Sequence, residues 1–400
     1  MKIRKLNSIE ERLQARRIAG LAFVIPLDME KEEQRFSLLS PDSEEKNVES
    51  WGAFLDDGTL TAGLCNHHYT VSFDGHRVLC GGVGDVSSLP ENRRQGAVRG
   101  IFSAKLREMR EGDFLFSYLY PFSHVYYRQF GYELCQQPLR QWIKCQDLLS
   151  LPCTHAIEMQ NGAGCFEEIT PLSHRFMLRY NLGVLRESNQ WNFVNGDPVK
   201  DRKLRYLFRD QQGRLAGYVC FIPQEENGVR RAEIRDIAYE DTPALLSILA
   251  FFGRLSAQYQ EVGGALPPDV DLRLFAGEPY AVRQERTCAG MGRIVHVEKV
   301  LSLMKAPQEV GEAVIEVEDP FLPENSGRYR LLFENGAIQS VSRTELPPDL
   351  LCRIGDLTRL VLGADDPLVS LTAPGVTVAG KKELLCRLFP KKNLYMNQPF

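Results

Sequence analysis

The sequence predicts an α+β fold in three consecutive parts, and three observations carry that expectation. Amphipathic helical runs alternate with short strand-like runs through the first 150 residues, a turn-containing segment near Ala53 recurs near Tyr206, and a different pattern begins near His296. A chain of 400 residues is also too long for one ordinary core, so two or three domains are expected.

Ser8 to Ala22 reads as a helix: Ser8 suits the N-cap, Glu11 falls three residues later, and Leu13, Ile18 and Leu21 have apolar spacing. Trp51–Leu55, the turn Asp56-Asp57-Gly58 and Leu60–Tyr69 read as strand, turn, strand. A second strand pair is expected at His76–Val78 and Val83–Ser88. Gly96–Arg110 is an amphipathic helix with Val98, Ile101, Phe102, Leu106 and Met109 on one face, and Phe114–Leu119 reads as a buried strand.

The repeat sets Ala53–Leu64 beside Tyr206–Tyr218. Both read as hairpins with a glycine turn and a following Leu-x-Gly or Leu-Ala-Gly, and Asp85-Val86 before one helix is echoed by Asp236-Ile237 before another. Thr242 suits the cap of that second helix and Pro243 its first turn. In the third part, Ala313–Val317 alternates as a strand, and Asn335-Gly336 marks a hairpin between Tyr329–Phe333 and Ala337–Val341. A helix is expected from Asp349, with Leu350, Ile354, Leu357 and Val361 on one face, and a last helix at Lys381–Phe389.

Hydrophobic content of 44% and charged content of 25% are those of a soluble globular protein. A net charge of −4 argues against a general nucleic-acid binder. The ten cysteines show neither Cys-x-x-Cys nor metal-ligand spacing, so free, mostly buried thiols and no metal are expected. The N-terminus lacks the apolar core of a signal peptide, and the longest apolar stretch, around Leu245–Leu255, is too short to span a bilayer. A cytoplasmic protein with no membrane partner is expected.

The chemistry concentrates in two segments. Residues 82–100 end a strand at Ser88, turn at Pro90 and open a helix near Gly96. The first turn of a helix leaves N–H groups unpaired at the positive end of its dipole, where a pyrophosphate fits. Gly96 allows close approach, and Arg93, Arg94 and Arg99 add charge. The same residues also fit an ordinary basic helix start on a solvated surface. Gly82-x-Gly84 precedes no helix directly, so a dinucleotide fingerprint fails on context, and no NTPase phosphate loop is present. The second segment, Pro121–Glu133, holds Tyr126 and Tyr127 in an aromatic run that also fits plain packing. A phenol with a pKa of about 10 can protonate a departing thiolate at neutral pH.

Arg93-Arg94-Gln95-Gly96-Ala97-Val98 resembles the Arg-x-x-Gly-x-Gly/Ala cofactor signature of the GNAT acetyltransferase superfamily, with Val98 departing from the usual small residue. Tyr127-Arg128-Gln129-Phe130-Gly131-Tyr132 resembles the superfamily's Tyr-x-x-Phe-Gly-Tyr/Phe signature. The narrower resemblance is to the Eis-like (enhanced intracellular survival) acetyltransferases. It implies tandem GNAT-type acetyltransferase domains followed by a sterol-carrier-like α+β domain. The division expected here is 1–150, with the acetyl-CoA site, 151–292, degenerate and shaping the acceptor pocket, and 293–400.

Carried over by residue, the resemblance implies that backbone groups of Val86, Ser87 and Ser88 bind the pantetheine arm. Arg94, Gln95, Gly96, Ala97, Val98 and Arg99 would cradle the pyrophosphate, with Phe122 and Ser123 near the thioester end. Tyr127 would be the general acid, with Tyr126 its rival, and the terminal carboxylate of Phe400 the general base. Acidic residues around Asp28, Glu30 and Asp85 are candidates to attract a cationic amine. The resemblance also implies a homo-hexamer and direct transfer to a primary amine of an aminoglycoside, polyamine or lysine. The second copy has no Arg-x-x-Gly, so one acetyl-CoA site per chain is expected. The rival readings are an acyl-CoA-binding sensor without turnover and a lipid carrier built on the last part.

Overall fold

The computed structural model describes residues 1–38, 47–160 and 165–400. The chain forms two compact units, one of residues 1–135, 289–392 and 400, the other of residues 136–288 and 393–399.

The first unit opens with β1 (Lys2–Lys5), α1 (Ile9–Phe23), α2 (Met29–Leu38), β2 (Val48–Phe54), β3 (Leu60–Phe73), β4 (His76–Ser88), α3 (Ala97–Glu111), β5 (Phe114–Leu119), α4 (His124–Arg128) and β6 (Glu133–Leu134). The second unit contains β7 (Leu139–Lys144), β8 (Ala156–Met159), α5 (Phe166–Met177), β9 (Leu204–Arg209), β10 (Leu215–Glu226), β11 (Val229–Tyr239), α6 (Thr242–Arg254), β12 (Glu261–Ala265) and β13 (Arg283–Arg286). The chain then returns to the first unit with β14 (Met291–Ile294), α7 (Val297–Leu303), β15 (Gly311–Glu318), β16 (Gly327–Glu334), β17 (Ala337–Arg343), β18 (Leu350–Arg353), α8 (Ile354–Leu362), α9 (Pro367–Ser370), β19 (Val376–Val378) and α10 (Lys382–Leu388).

Three mixed sheets result, ordered β1-β2-β3-β4-β5-β14-β6, β13-β7-β12-β11-β10-β9-β8 and β17-β16-β15-β18-β19. The first two share a plan: a long antiparallel hairpin, a helix, and a strand returning parallel to the hairpin's second arm. The parallel pairs are β4 with β5 and β11 with β12. Strand exchange crosses the divisions expected at 150/151 and 292/293. β7 pairs with β12 and β13 in the second sheet, whereas β14 pairs with β5 and β6 in the first.

The helix expected at Ser8–Ala22 is α1, and the Ser8 side chain accepts from Glu11 N–H at 3.2 Å. Such a cap contributes about 1 kcal/mol. In α3, Ile101, Phe102, Leu106 and Met109 are all buried against the sheet, each contributing about 1.5–3 kcal/mol. β5 is buried along its whole length because it is a central strand.

Three local expectations are corrected. The strand pair expected at His76–Val78 and Val83–Ser88 is one continuous strand, β4, paired along β3 across the turn Asp74-Gly75. Asp74 and Gly75 both have positive φ, 50° and 93°, the mirror-type turn that matches strand twist. The helix expected from Asp349 begins only at Ile354. Leu350 and Cys352 alternate inward as strand β18 against β15, so a helical spacing that included Leu350 was coincidental. The cap of α6 is Asp241 rather than Thr242, its carboxylate accepting from Ala244 N–H at 3.0 Å.

Candidate active site

β4 and β5 pair from Leu79 opposite Phe114 to Val83 opposite Leu119, with one extra β5 residue between Leu79 and Cys80, and β5 ends there. β4 continues to Ser88. On its other side the register with β3 slips from Cys65 opposite Gly84 to Gly63 opposite Ser87, one extra residue on β4, with Asp85 at φ 51°. A bulge of this kind bends a strand and re-aims its groups. Among the described strand pairings, the β5 side of Val86–Ser88 has no partner. That backbone edge can accept an extended, amide-bearing ligand as an added strand.

A helix terminus faces the same space. α3 is capped by Gly96 at φ 83°, with no side-chain cap and no acidic residue in its first turn. Arg94 is also left-handed, at φ 64°. Turns of this form gather successive N–H groups into a concave anion site, reinforced by the helix dipole. The second unit supplies the contrast: the corresponding helix α6 carries the Asp241 carboxylate on its first-turn N–H. Its dipole is already answered, so of these two helix starts the α3 end is the one open to an anion.

Between the β4 edge and the α3 terminus lies a cavity of about 730 Å³. Its walls include Val86, Ser87 and Ser88 from β4, Arg94, Gly96, Ala97, Val98 and Arg99 from the turn and α3, and Phe122 before α4. The Ser87 hydroxyl is buried there with no hydrogen-bond partner among the described residues. Arg99 lies over the Phe321 ring at 5.3 Å. Gln95 is exposed but does not line the cavity, and neither do Ser123 and Tyr127. Ala22 and Phe23 at the end of α1, Asn92, Gln129 and Phe130 line it without having been singled out from sequence. Gln129 and Phe130 sit inside the aromatic motif and were within reach. Nothing local marks Ala22 and Phe23, which arrive through tertiary packing. These walls fit an acetyl-CoA molecule: a basic helix start for its pyrophosphate, a free strand edge and an orphaned hydroxyl for its amides, and apolar side chains beyond.

The aromatic segment forms α4. Ser123 is its N-cap, accepting from Tyr126 N–H at 3.3 Å, which gives that hydroxyl a structural role. Tyr126 is half-buried and lines the cavity, whereas Tyr127 is 3% exposed. Tyr127 packs edge-on to Phe122 at 5.4 Å and Phe102 at 6.1 Å. Among the described residues nothing hydrogen-bonds its hydroxyl. Burial, then the neighbouring phenols of Tyr126 and Tyr132, push the Tyr127 pKa well above the ordinary value. Burial also raises Tyr126.

Phe400 packs with the first unit. Its ring sits among Tyr120 at 5.2 Å, Tyr69 at 5.5 Å, His67 at 5.8 Å and Tyr118 at 6.4 Å. Its carboxyl faces β4, where a Cβ on Gly84 would lie 3.6 Å from the carboxyl carbon. Of the acidic residues expected to attract an amine, Asp85 is paired with Arg16 at 2.9 Å and Asp28 with Lys31 at 3.2 Å, while Glu30 is exposed. Two of the three are therefore partly neutralised.

In the second unit, Asp236, the echo of Asp85, is fully buried and paired with Arg186 at 2.9 Å. Arg186 also donates to the Gln398 side chain at 2.7 Å and to the Asn397 carbonyl, so the corresponding position holds the chain's own tail. Among the described residues no group of three or more His, Cys, Asp or Glu side chains could hold a metal ion, and no helix is long and apolar enough to cross a membrane.

Comparison with known proteins gives the following. Residues 2–135 match the acetyltransferase (GNAT) domain, residues 182–294 match a second acetyltransferase (GNAT) domain, and residues 297–397 match the sterol carrier protein domain. No curated protein matches the chain. Among solved structures, a GCN5-related N-acetyltransferase from Anabaena variabilis is 21% identical with a TM-score of 0.86, over 100% of both chains. Eis1 from Mycobacterium abscessus is 22% identical with a TM-score of 0.81, again over 100% of both. A conserved protein from Enterococcus faecalis, described as a probable N-acyltransferase, is 23% identical with a TM-score of 0.83, over 98% of this chain and 99% of its own. At these identities the likeness to solved structures is one of fold. The chain thus joins two GNAT acetyltransferase domains to a sterol carrier protein domain, in a fold that it shares with Eis1 and the other solved structures.

Proposed function

We propose that the chain transfers the acetyl group of acetyl-CoA to a primary amine of an aminoglycoside, a polyamine or a lysine-like acceptor, by direct attack in a ternary complex. The observation that carries this is the single cavity wall shared by the uncapped start of α3 and the unpartnered edge of β4. The reading includes neither nucleic acid nor membrane as a partner. By resemblance it takes the working form as a cytoplasmic homo-hexamer. The three-part division at 1–150, 151–292 and 293–400 belongs to the same proposal, with the strand exchange described above joining the parts.

Acetyl-CoA supplies an activated acyl group as a thioester. Backbone groups of Val86, Ser87 and Ser88 hold its extended arm, and Arg94, Gln95, Gly96, Ala97, Val98 and Arg99 hold its pyrophosphate. Phe122 and Ser123 lie towards the reactive end. An amine is mostly protonated at neutral pH, and the Phe400 carboxylate takes the proton that must leave before attack. The N–H near Val86 donates to the acyl oxygen as negative charge develops there. Tyr127 keeps its proton at neutral pH because burial disfavours the phenolate. It gives that proton to the departing sulfur.

The test is coenzyme A release, followed by thiol detection, with acetyl-CoA and a panel of amines that includes an aminoglycoside, a polyamine and a lysine peptide. Release that depends on one amine class supports the proposal and names the acceptor. Binding of acetyl-CoA with no release for any amine would favour a sensor instead.

A further inference from the structure

Tyr127 lies on α4, and the turn that ends this helix is tied to it through the backbone. Phe130 N–H donates to the Tyr127 carbonyl at 3.0 Å, and Tyr132 N–H reaches the same oxygen at 3.4 Å. The Phe130 carbonyl in turn accepts a hydrogen bond from Nη1 of Arg293, a residue that is fully buried on β14. Gly131 is required twice over here. Its φ is 79°, and a Cβ would stand 1.9 Å from Arg293 Nη1.

The other side of the guanidinium is held by the third region. Arg293 Nη2 donates to Asp319 Oδ2 at 2.6 Å, and Asp319 is also fully buried. Asp319 accepts further from Phe321 N–H at 3.2 Å, Leu322 N–H at 3.0 Å and the Asn325 side chain at 2.9 Å. Asn325 Oδ1 takes a 2.7 Å hydrogen bond from Arg110, near the end of α3. Arg293 Nε has no partner among the described residues. A buried ion pair with an unsatisfied donor is poor value as a stabilising device. What this pair does hold is the turn behind the phenol.

We infer that Arg293, fixed by Asp319, is a positioning residue for Tyr127: it anchors the Phe130 carbonyl and thereby sets the place from which Tyr127 donates its proton. The inference rests on the proposed acid role of Tyr127. It makes the sterol carrier domain, through Asp319, part of the support of the acetyltransferase site in its own unit.

The test is a double-mutant cycle of Arg293→Lys with Tyr127→Phe, reading kcat, KM for each substrate and acetyl-CoA affinity. Lysine keeps a cation for Asp319 but lacks the forked geometry that reaches Phe130 as well. Arg293→Lys is expected to lower kcat by about tenfold to a hundredfold with acetyl-CoA affinity within about twofold. In the Tyr127→Phe background the same substitution should lower kcat no further, because the group it positions is gone. An equal loss in both backgrounds, or full kcat in Arg293→Lys, overturns the inference. If Tyr127→Phe alone leaves kcat intact, the acid assignment falls first, and that result is distinct from additivity. Should Arg293→Lys not fold, Asp319→Asn takes its place in the cycle, since its amide oxygen still accepts from Phe321 and Leu322.

Discussion

The Phe400 ring lies directly over Gly82: a Cβ on that glycine would come within 3.0 Å of the ring, and within 2.7 Å of Tyr69 beside it. Two residues along the same strand, Gly84 leaves ordinary contact distance to the Phe400 carboxyl. β4 therefore seats the end of the chain with two bare backbone positions. Gly82→Ala forces the ring to move by a few tenths of an ångström or more. It should lower kcat by about tenfold or more while acetyl-CoA affinity stays unchanged. Steady-state kinetics beside equilibrium binding check this, and an equal loss in both quantities would place Gly82 in cofactor binding instead.

Tyr127→Phe should cut kcat by about 100-fold, the lower end of what a general acid contributes, and leave acetyl-CoA affinity intact. Tyr126→Phe made alongside decides between the two phenols, because Tyr126 lines the cavity and Tyr127 packs behind it. Burial raises both phenols, so neither should impose a fall in rate on the alkaline side below pH of about 10. A loss of kcat confined to Tyr126→Phe would transfer the acid role to that residue.

The second unit should be sensitive to its buried pair. Asp236→Ala leaves Arg186 charged and uncompensated in a fully buried place. A destabilisation of about 3–5 kcal/mol is expected. Denaturant unfolding, followed by a probe within that unit, measures it. A change below about 1 kcal/mol would mean that the site hydrates readily.

His296 makes acid stability asymmetric. It caps α7 as an acceptor, receiving Lys299 N–H at 3.4 Å, a role only the neutral ring can fill. Burial, then Arg110 and Lys299, lower its pKa to about 4. The unfolded-state value is about 6.5, so the folded state binds fewer protons between the two. The stability contributed by the neutral ring is complete above the unfolded value and is lost as pH falls through about 4. Wild-type Tm should therefore fall more steeply than that of His296→Asn, which caps without titrating. Parallel curves would show that His296 does not carry the acid response.

The parts of the site that were legible in the sequence are those built from consecutive residues. Gly96 before an apolar helical face marked the start of α3, because that pattern depends on local spacing; the aromatic run drew attention to Pro121–Glu133 without revealing that part of it forms α4. The fate of β7 and β14 was hidden, since the choice of a sheet is made by tertiary pairing, and neither strand's sequence names its partner. Ala22 and Phe23 were invisible for the same reason. Leu350 shows the opposite failure: a residue that fits both a helical and an alternating pattern is settled by β15 and β19 on either side of it. The Arg293–Asp319 pair joins residues far apart in sequence, and no spacing rule connects them.

The most direct test of the whole account is the rate of coenzyme A release with a reacting amine, compared between the native chain and one carrying two residues added after Phe400. The extension moves the carboxylate away from β4 and leaves the cavity walls unchanged. Acetyl-CoA binding should be unaltered, and the release rate lower by about 100-fold or more. An extended chain that releases coenzyme A at the native rate would contradict it.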